Sequence, residues 1–376
     1  MLKCAIVPPV PVPYREPLFQ RLSQRPELTI AVIYQASSQR SWDQAAGWFP
    51  ADHGYEAMHL RPLHIERSGR SPITWPRGLE RALSRFAPDV VVVSEFGPAS
   101  LRALAWCRAR RRALVVLSEV TRDAQRTLSA PQRALHGLLA RRVDGLIGVS
   151  TAARERLLEL DVQQDRVIVS LQPVDEDALQ AATAARPRPP ALPVEVLTVA
   201  RLVPDKGIDV LLDAFSRAGL REEQARLCIV GGGPLEDQLR KRAQRLGVPA
   251  RFLGAVPAGE LPARYAHASV FVLPSLYEPF GVAMREAVVA GLPVVCSTAV
   301  GAAGDLALSG GNAILVAPGD VGALSEALAR VCRDAALREA MASASVRVAR
   351  QHPLQDDVEA FAAMIRQAAA RRGRVG

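Results

Sequence analysis

This sequence of 376 residues lacks long apolar runs and a leader of the secretory type. No run approaches the roughly 18 residues that a membrane-spanning helix needs. The longest, such as LTIAVIY (28–34), have the length of a strand. The N-terminal MLKCAIVPPVPVPYRE is too rich in proline for a signal peptide, and no small-residue cleavage site follows it. We therefore expect a cytoplasmic protein, and peripheral attachment to the inner face of a membrane stays open.

Cysteine is also scarce, and its distribution argues against a disulfide framework. The chain has five cysteines, an odd number, with no C-x-x-C pair and no Cys/His cluster at zinc spacing. Cys4, Cys228 and Cys296 lie inside apolar, strand-like runs, as small buried hydrophobic residues do. We expect neither a structural disulfide nor a metal site.

Lysine and asparagine are nearly absent, although the net charge is +9. Most of the positive charge is arginine, the excess is spread evenly along the chain, and there is no basic tail. Nucleic acid is therefore not an expected partner. One arginine cluster stands out on the helix predicted near 101–111; it comprises Arg102, Arg108, Arg110, Arg111 and Arg112. It is either a solvated helix face or a patch for anionic lipid headgroups.

The remaining composition is that of a globular protein with two domains. Hydrophobic residues make up 49% and charged residues 23%, which excludes a disordered chain. At about 150 residues per domain, two domains are expected. Short apolar strands alternate with helices in both halves, which predicts α/β domains with doubly wound parallel sheets, Rossmann-like in form. The proline-rich segment 181–193 predicts a boundary between domains over 1–180 and 194–350.

Three segments of the C-terminal half follow predicted strands and carry candidate chemistry. Ligands bind at the carboxyl ends of parallel strands, so these loops are the natural place for a site. Gly231 and Gly233 lie in a strand-to-helix turn where backbone N–H groups can meet an anion. Arg201 and Lys206 flank another such turn, where two cations can hold a diphosphate. Each signal alone is also compatible with an ordinary loop.

The segment PSLYEPFGVAMREAVVAGLPVVCS (274–297) is the most informative. Glu278 lies in the loop after a strand, and Glu286 lies about one turn into the following helix. At this spacing the two carboxylates do not share a helical face. The loop carboxylate suits recognition of hydroxyl groups, and the helix carboxylate, near the positive helix end, suits a ribose diol.

These motifs together resemble the family-4 retaining glycosyltransferases, whose fold is GT-B. The resemblance rests on E-P-F-G with Glu278 and Glu286, on VARLVPDKGIDVLLDAF (199–215) and on IVGGGPLEDQLR (229–240). It covers roughly 140–350 well and the first 130 residues poorly. It implies two Rossmann-like domains facing across a cleft, with a C-terminal helix (354–376) that returns to the N-terminal domain.

The resemblance also implies roles for individual residues. Arg201 and Lys206 would grip the diphosphate of a nucleotide-diphosphate sugar of UDP or GDP type, and Glu278 would contact the transferred sugar. Glu286 would hold the ribose. The remaining donor pocket would be formed by Phe280, Gly281, Val282, Gly231, Gly233, Leu253 and Val256. No cofactor and no metal would be required.

The N-terminal half departs from the family pattern, and it is where an acceptor would bind. Many members carry a histidine after the middle strand of this domain, where this chain has Glu119. Glu95 also ends a strand, so either carboxylate is a candidate to orient or deprotonate the acceptor, or is a structural loop residue. Tyr14 and Arg15, after the first strand, are further acceptor or phosphate candidates.

We therefore expect a hexosyltransferase acting on a carbohydrate, a lipid-linked or a small-molecule acceptor, with cell-envelope glycan or glycolipid synthesis as the first hypothesis. The alternatives are a transferase for a small natural product, a phosphorylase or synthase on the same scaffold, and a catalytically silent partner protein. A dinucleotide-dependent oxidoreductase is disfavoured because the G-x-G-x-x-G fingerprint is absent.

Overall fold

The chain folds into two compact units. The first combines Met1–Pro173 with Leu354–Gly376, and the second comprises Val174–Pro353. The computed structural model describes residues 1–36, 53–67, 70–125, 128–185 and 192–373. Of the proline-rich segment predicted as a boundary, residues 186–191 lie outside this description.

The first unit contains a parallel sheet and a separate hairpin. In chain order, its strands are β1 (Leu2–Val7), β2 (Leu28–Tyr34), β3 (Glu56–His59), β4 (Leu63–Arg67), β5 (Arg70–Trp75), β6 (Val90–Ser94), β7 (Ala113–Ser118), β8 (Gly145–Gly148) and β9 (Val167–Val169). The parallel sheet has the order β3-β2-β1-β6-β7-β8-β9, and β4 pairs with β5 in antiparallel orientation. The central strands are apolar throughout because both faces of the sheet are covered.

Helices cover this sheet. They are α1 (Glu16–Ser23), α2 (Leu79–Phe86), α3 (Pro98–Ala109), α4 (Arg122–Gln125), α5 (Ala130–Ala140), α6 (Thr151–Leu158) and the C-terminal helix, numbered α15 (Leu354–Arg371). Val91 and Val116 of the sheet share a buried core with Trp106 of α3. Helix α3 begins at Pro98 rather than near residue 101, because proline is well suited to the first turn, where its missing N–H has no partner to lose.

The second unit is another doubly wound domain. Its strands are β10 (Val194–Val199), β11 (Ala225–Val230), β12 (Ala250–Gly254), β13 (Val270–Leu273), β14 (Val294–Ser297) and β15 (Ala313–Val316), and its helices are α7 (Glu176–Ala184), α8 (Ile208–Arg217), α9 (Glu236–Leu246), α10 (Leu261–His267), α11 (Val282–Val289), α12 (Ala303–Leu306), α13 (Val321–Arg333) and α14 (Ala335–Gln351). The parallel sheet has the order β12-β11-β10-β13-β14-β15. Leu211, Phe215 and Leu227 lie in its core.

Helix α7 belongs to the second unit, so the division between units falls before it, whereas the sequence predicted the boundary in the proline-rich segment 181–193. The physical reason is that α7 packs against α10 and α11 of the second unit. Its first turn is fixed by Asp175, whose side chain accepts the N–H of Ala178 at 3.0 Å. Glu176 then pairs with Arg285 of α11 at 3.3 Å.

The C-terminal helix α15 groups with the first unit. The Asp357 carboxylate accepts the backbone N–H of Leu171 at 2.6 Å, and both residues are buried. Near the end of the chain, Arg371 pairs with Asp165 at 2.8 Å and Arg372 with Asp144 at 2.7 Å. These contacts hold the two ends of the helix, and buried residues such as Phe361 and Ile365 pack along it in between.

Three arginines of the cluster noted in the sequence contact other residues of the first unit. Arg102 donates to Glu80 at 2.6 Å, Arg112 pairs with Asp89, and Arg108 donates to a backbone carbonyl. Contact of this cluster with anionic lipid stays a prediction. None of the helices within the described ranges is both long and apolar enough to cross a membrane.

We expect Asp357→Ala to destabilise the first unit by about 1–3 kcal/mol, because it leaves the buried N–H of Leu171 without its acceptor. All four tryptophans belong to this unit, so their fluorescence in a urea titration reports its unfolding. Asp356→Ala is the matched control, since Asp356 is exposed. Equal losses in the two variants would contradict this role of Asp357.

Candidate functional site

The order of the second sheet reverses next to β10, and this reversal defines a candidate site. From β10 the chain builds outward to β11 and β12, and it then returns to place β13 on the other side of β10. Helices that follow neighbouring strands diverge at such a point, which opens the carboxyl edge of the sheet to a ligand. The loops after β10 and β13 therefore meet at the carboxyl edge beside this reversal.

Lys206 and Glu278 come together here, although they are far apart in sequence. Lys206 ends a 3₁₀ turn after β10, and its Nζ lies 2.6 Å from Oε2 of Glu278 in the loop after β13. The two side chains are only 12% and 16% exposed. The loops are also joined through their backbones, since the Asp205 carbonyl accepts the N–H of Leu276 at 2.8 Å. We call this arrangement the β10/β13 site.

A cation and a carboxylate held together in this way offer complementary chemistry. The pair is partly shielded from water, so each charge acts more strongly on a ligand than it would at an open surface. Arg201, also after β10, is exposed and makes no ion pair with any carboxylate in the described part of the chain. It is a further positive charge in the loop that carries Lys206.

Two glycines shape the backbone around this site. Gly231, after β11, has φ +126°, and a Cβ there would lie 1.9 Å from the carbonyl oxygen of Ala200. Gly281, just before α11, has φ +100°, and a Cβ there would lie 2.6 Å from Val300. Both positions require glycine because a side chain would collide with a packed neighbour and favour a different φ. Gly233 follows in the same turn and is exposed.

The segment from Phe280 to Glu286 comprises the end of the loop before α11 and the beginning of that helix. Phe280 is buried, and its carbonyl accepts the N–H of Ala302 at 3.0 Å. Val282 begins the helix, so its N–H belongs to the first turn, where backbone donors lack helical partners. Glu286 lies one turn further and accepts a hydrogen bond from the hydroxyl of Tyr265 at 2.6 Å. Burial raises the pKa of Glu286 to about 7.

Leu253 and Val256 lie at the edge of the second sheet, away from the two strands whose loops carry the ion pair. Leu253 belongs to β12 and Val256 follows it. Strand β12 is at the edge of the sheet, and β11 separates it from β10. A backbone hydrogen bond of 2.8 Å from Gly231 to Gly254 connects this edge to the glycine turn.

The first unit carries a second group of polar residues at the corresponding edge of its own sheet. Glu119, after β7, accepts a hydrogen bond from Arg15 at 2.7 Å and another from Gln172. Arg15 is only 7% exposed and also donates to Gln172 at 3.3 Å. Tyr14 lies beside it, with its ring 5.8 Å from the guanidinium carbon. We call Arg15, Glu95, Glu119 and Gln172 the first-unit carboxylate cluster.

Glu95 plays a different part in this cluster from Glu119. Its carboxylate accepts the backbone N–H of Glu119 at 2.6 Å and the hydroxyl of Ser118 at 2.9 Å. Its own backbone has φ +64°, an uncommon value for a residue with a side chain. Burial, together with the nearby charge of Glu119, raises the pKa of Glu95 to about 7. Glu95 thus supports the loop that presents Glu119.

Sequence reasoning missed two participants. Tyr265 and Gln172 belong to no glycine-rich or charged motif, and each lies far along the chain from the carboxylate that it contacts. Tyr265 was detectable only as an apolar-face position of a helix, a pattern that ordinary core tyrosines share. In the described part of the chain, no three Cys, His, Asp or Glu side chains gather as metal ligands would.

Glu95 predicts a specific pH dependence of stability. A carboxyl whose pKa is higher in the folded state than in the unfolded state loses stability as pH rises from the unfolded pKa, about 4.5, toward the folded value, about 7. We expect Glu95→Gln to remove this loss, so its free energy of unfolding should fall less than that of the wild type over this range. Tryptophan fluorescence in urea at several pH values measures it. Exposed Glu155, changed to Gln, serves as the control; parallel pH profiles for wild type and Glu95→Gln would refute this account.

Comparison with known proteins supports one family for both halves. Residues 20–178 match Glycosyltransferase Family 4, and residues 184–347 match Glycosyl transferases group 1. The first match extends through most of the half in which the sequence motifs were sparse.

Two relatives and one solved structure illustrate the similarity. The glycogen synthase of Mycobacterium tuberculosis is 33% identical over 220 residues, which are 58% of this chain and 52% of that protein. This chain thus spans about half the length of that relative. The GDP-mannose-dependent alpha-(1-6)-phosphatidylinositol monomannoside mannosyltransferase of Mycolicibacterium smegmatis is 36% identical over 148 residues, covering 37% of this chain and 38% of that protein.

The structure of Anabaena HepE in complex with UDP and glucose aligns with a TM-score of 0.74 and 19% identity, covering 97% of this chain and all of that one. This similarity concerns the fold, and it agrees with the two doubly wound units. With a family match on each half and the fold in agreement, the resemblance inferred from the motifs is confirmed: the chain belongs to the family-4, group 1 glycosyltransferases of the GT-B fold.

Proposed function

We propose that this chain is an enzyme that moves a hexose-type sugar from a nucleotide-diphosphate sugar to an acceptor hydroxyl, with retention of anomeric configuration. The observation that carries the proposal is the Lys206–Glu278 pair at the strand-order reversal of the second unit. A sugar donor has an anionic diphosphate next to a neutral, hydroxyl-rich ring. A cation beside a carboxylate is complementary to both parts.

In this proposal the diphosphate is held by Lys206, Arg201 and free backbone N–H groups. A unit charge about 4 Å from a cation gains roughly 4 kcal/mol at an effective dielectric near 20. The N–H groups at the start of α11 and that of Gly233 in the glycine turn add partial positive charge, whereas the N–H of Gly231 donates to Gly254. These groups stabilise the charge that develops on the leaving diphosphate when the anomeric bond breaks, and no metal is required.

Glu278 would change partner when the donor binds. In the structure its carboxylate is neutralised by Lys206. A diphosphate competes for the same lysine, and the released carboxylate can then accept hydrogen bonds from the sugar hydroxyls. The ion pair therefore keeps both groups oriented before the donor arrives.

The nucleoside would occupy the rest of the carboxyl edge of the second sheet. Glu286 would accept hydrogen bonds from the ribose diol, and the backbone at Phe280–Val282 would contact sugar and phosphate. Leu253 and Val256 would border the base from the β12 side. The similar HepE structure contains UDP and the mannosyltransferase relative is GDP-mannose-dependent by its name, which supports a donor of UDP or GDP type.

The acceptor would bind the first unit near Glu119. The first-unit carboxylate cluster has one cation, Arg15, beside two carboxyls, Glu95 and Glu119, so it does not offer a net positive charge to an anionic group. Its chemistry fits an acceptor hydroxyl, which Glu119 would orient or deprotonate. We propose a cell-envelope glycan or glycolipid as the product, made at the cytoplasmic side of the membrane; the mannosyltransferase relative acts on phosphatidylinositol monomannoside by its name.

The first test is a thermal-shift panel with UDP, GDP, ADP, dTDP, NAD and phosphate, each with EDTA and with Mg²⁺. We expect one nucleoside diphosphate to stabilise the protein by about 2.7 kcal/mol at 100 times its Kd, with or without EDTA. Lys206→Ala should abolish this shift. Lys241→Ala removes an exposed lysine of the same unit and should leave it unchanged.

Two results of the panel would overturn the proposal. Absence of a shift with every nucleoside diphosphate would favour the silent-partner alternative. A shift with phosphate alone would instead favour a phosphorylase.

We further expect Glu119→Gln to lower kcat for sugar transfer by about a hundredfold while the Kd for the nucleotide stays unchanged, because general acid–base groups contribute about 10²–10⁴ in rate. The glutamine preserves the shape that Arg15 and Gln172 contact. Glu278→Gln is the comparison, and it should abolish transfer through the donor side. Wild-type transfer by Glu119→Gln would show that Glu119 is only structural.

A further inference from the structure

A hydrogen bond joins Tyr265 to Glu286, two residues that no sequence motif links. Tyr265 lies on α10 and is fully buried, and its hydroxyl donates to Oε2 of Glu286 at 2.6 Å. This length is typical of a hydroxyl bonded to an ionised carboxylate. Burial and the charge of Glu286 hold the pKa of Tyr265 well above its usual value, so the tyrosine remains a donor at every pH of interest.

The tyrosine is itself held rigidly. Its ring packs against Phe271 of β13, with centroids 5.9 Å apart. Strand β13 also leads into the loop that carries Glu278. The two carboxylates of the proposed donor site are therefore positioned by the same strand, Glu278 directly and Glu286 through the Tyr265 ring.

Glu286 has one oxygen engaged and one available. Oε2 accepts from Tyr265, whereas Oε1 has no hydrogen-bond partner among the residues described. The residue is partly exposed, although its surroundings are apolar enough to raise its pKa. The bond thus fixes the plane of the carboxylate and leaves Oε1 for a ligand.

The other groups around Glu286 do not replace this donor. Asp175, at the start of α7, raises the pKa of Glu286 further. Arg285, its neighbour on α11, donates to Glu176 and to the carbonyl of His352. The buried face of α14 carries no charged residue, strands β13 and β14 carry none, and the charged residue of α12 is Asp305.

We propose that Tyr265 is a positioning residue for nucleotide recognition: its hydroxyl orients Glu286 and favours its ionised form, so that Oε1 can accept a hydrogen bond from a ribose hydroxyl. This inference rests on the proposed function and extends it to a residue outside the family motifs. A ribose diol presents two O–H donors, for which a carboxylate is a better partner than a carboxylic acid.

Tyr265 and the other surroundings of Glu286 shift the pKa of this carboxyl in opposite directions. Donation from Tyr265 favours the charged form of Glu286 and lowers its pKa, whereas burial and Asp175 raise it, with a net value of about 7. Without the hydroxyl, the pKa rises above 7, and the acid form dominates at neutral pH. Nucleotide binding should then require a higher pH.

The experiment compares wild type with Tyr265→Phe, which keeps the packed ring. Carbon-13 NMR of the glutamate carboxyls, with the Glu286 signal assigned from its absence in Glu286→Gln, gives the pKa without any ligand. Calorimetry with UDP and with GDP from about pH 6 to about pH 9 gives Kd. Tyr34→Phe is the matched control, because Tyr34 is a buried tyrosine that bonds a buried glutamate, Glu16, in the first unit.

In Tyr265→Phe we expect Glu286 to titrate at a higher pH than in the wild type. Nucleotide binding should weaken about tenfold at pH 7, which corresponds to the loss of one charge-assisted hydrogen bond. Binding should recover toward the wild-type Kd at about pH 9. The donor KM should rise with kcat little changed, and Tyr265→Phe should have no additional effect in the Glu286→Gln background. Tyr34→Phe should bind as the wild type does.

Two results would overturn the inference. One is an unchanged Glu286 titration in Tyr265→Phe. The other is a shifted titration that leaves the pH profile of nucleotide binding in place. Failure of the wild type to bind either nucleotide would instead count against the proposed function, and the ligand-free titration keeps the two failures apart.

Discussion

Parallel pairing of β10 with β13 is the constraint on which the second unit depends. Val196 pairs with Val270 and Leu197 with Phe271, which joins two strands separated by β11 and β12 in the chain. Parallel strands deliver their carboxyl ends to one edge, so this single pairing brings the loop of Lys206 beside the loop of Glu278. The direction of the helices that follow is set by the same reversal of strand order.

Partly buried charges in both units are stabilised in pairs. Lys206 with Glu278, and Arg15 with Glu119, each lie at the carboxyl edge of a parallel sheet. Removing one member of such a pair leaves an uncompensated charge, which is more costly than the net gain from the intact pair suggests. The pairs at these edges therefore have two functions, since they support the loops and keep polar groups ready for a ligand.

Carboxyl groups with raised pKa values occur once at each of these edges. Burial is the chief cause that raises the pKa of Glu95 and the pKa of Glu286, each to about 7. Each is also held by a hydroxyl, from Ser118 or from Tyr265. A buried carboxyl with a fixed hydroxyl partner responds to small changes in its surroundings near neutral pH, and such groups are frequent at functional sites.

The sequence by itself determined the fold class, the presence of two doubly wound domains and the family. These depend on apolar strands and on glycine and charge motifs, each of which consists of residues that are contiguous in the chain. Even so, it predicted the boundary in the segment 181–193 rather than before α7, because the long-range packing of α7 on α10 and α11 leaves no local signal. It also singled out Lys206, Glu278 and Glu286 as candidates, but it did not predict which side chains contact them.

Only the tertiary structure decided that Lys206 pairs with Glu278, that Tyr265 holds Glu286, and that Gln172 joins Glu119. In each case the interaction depends on distances across neighbouring elements that are remote in the chain. Sequence motifs specify which groups are available at the end of a strand, whereas strand order and side-chain packing specify which of them meet.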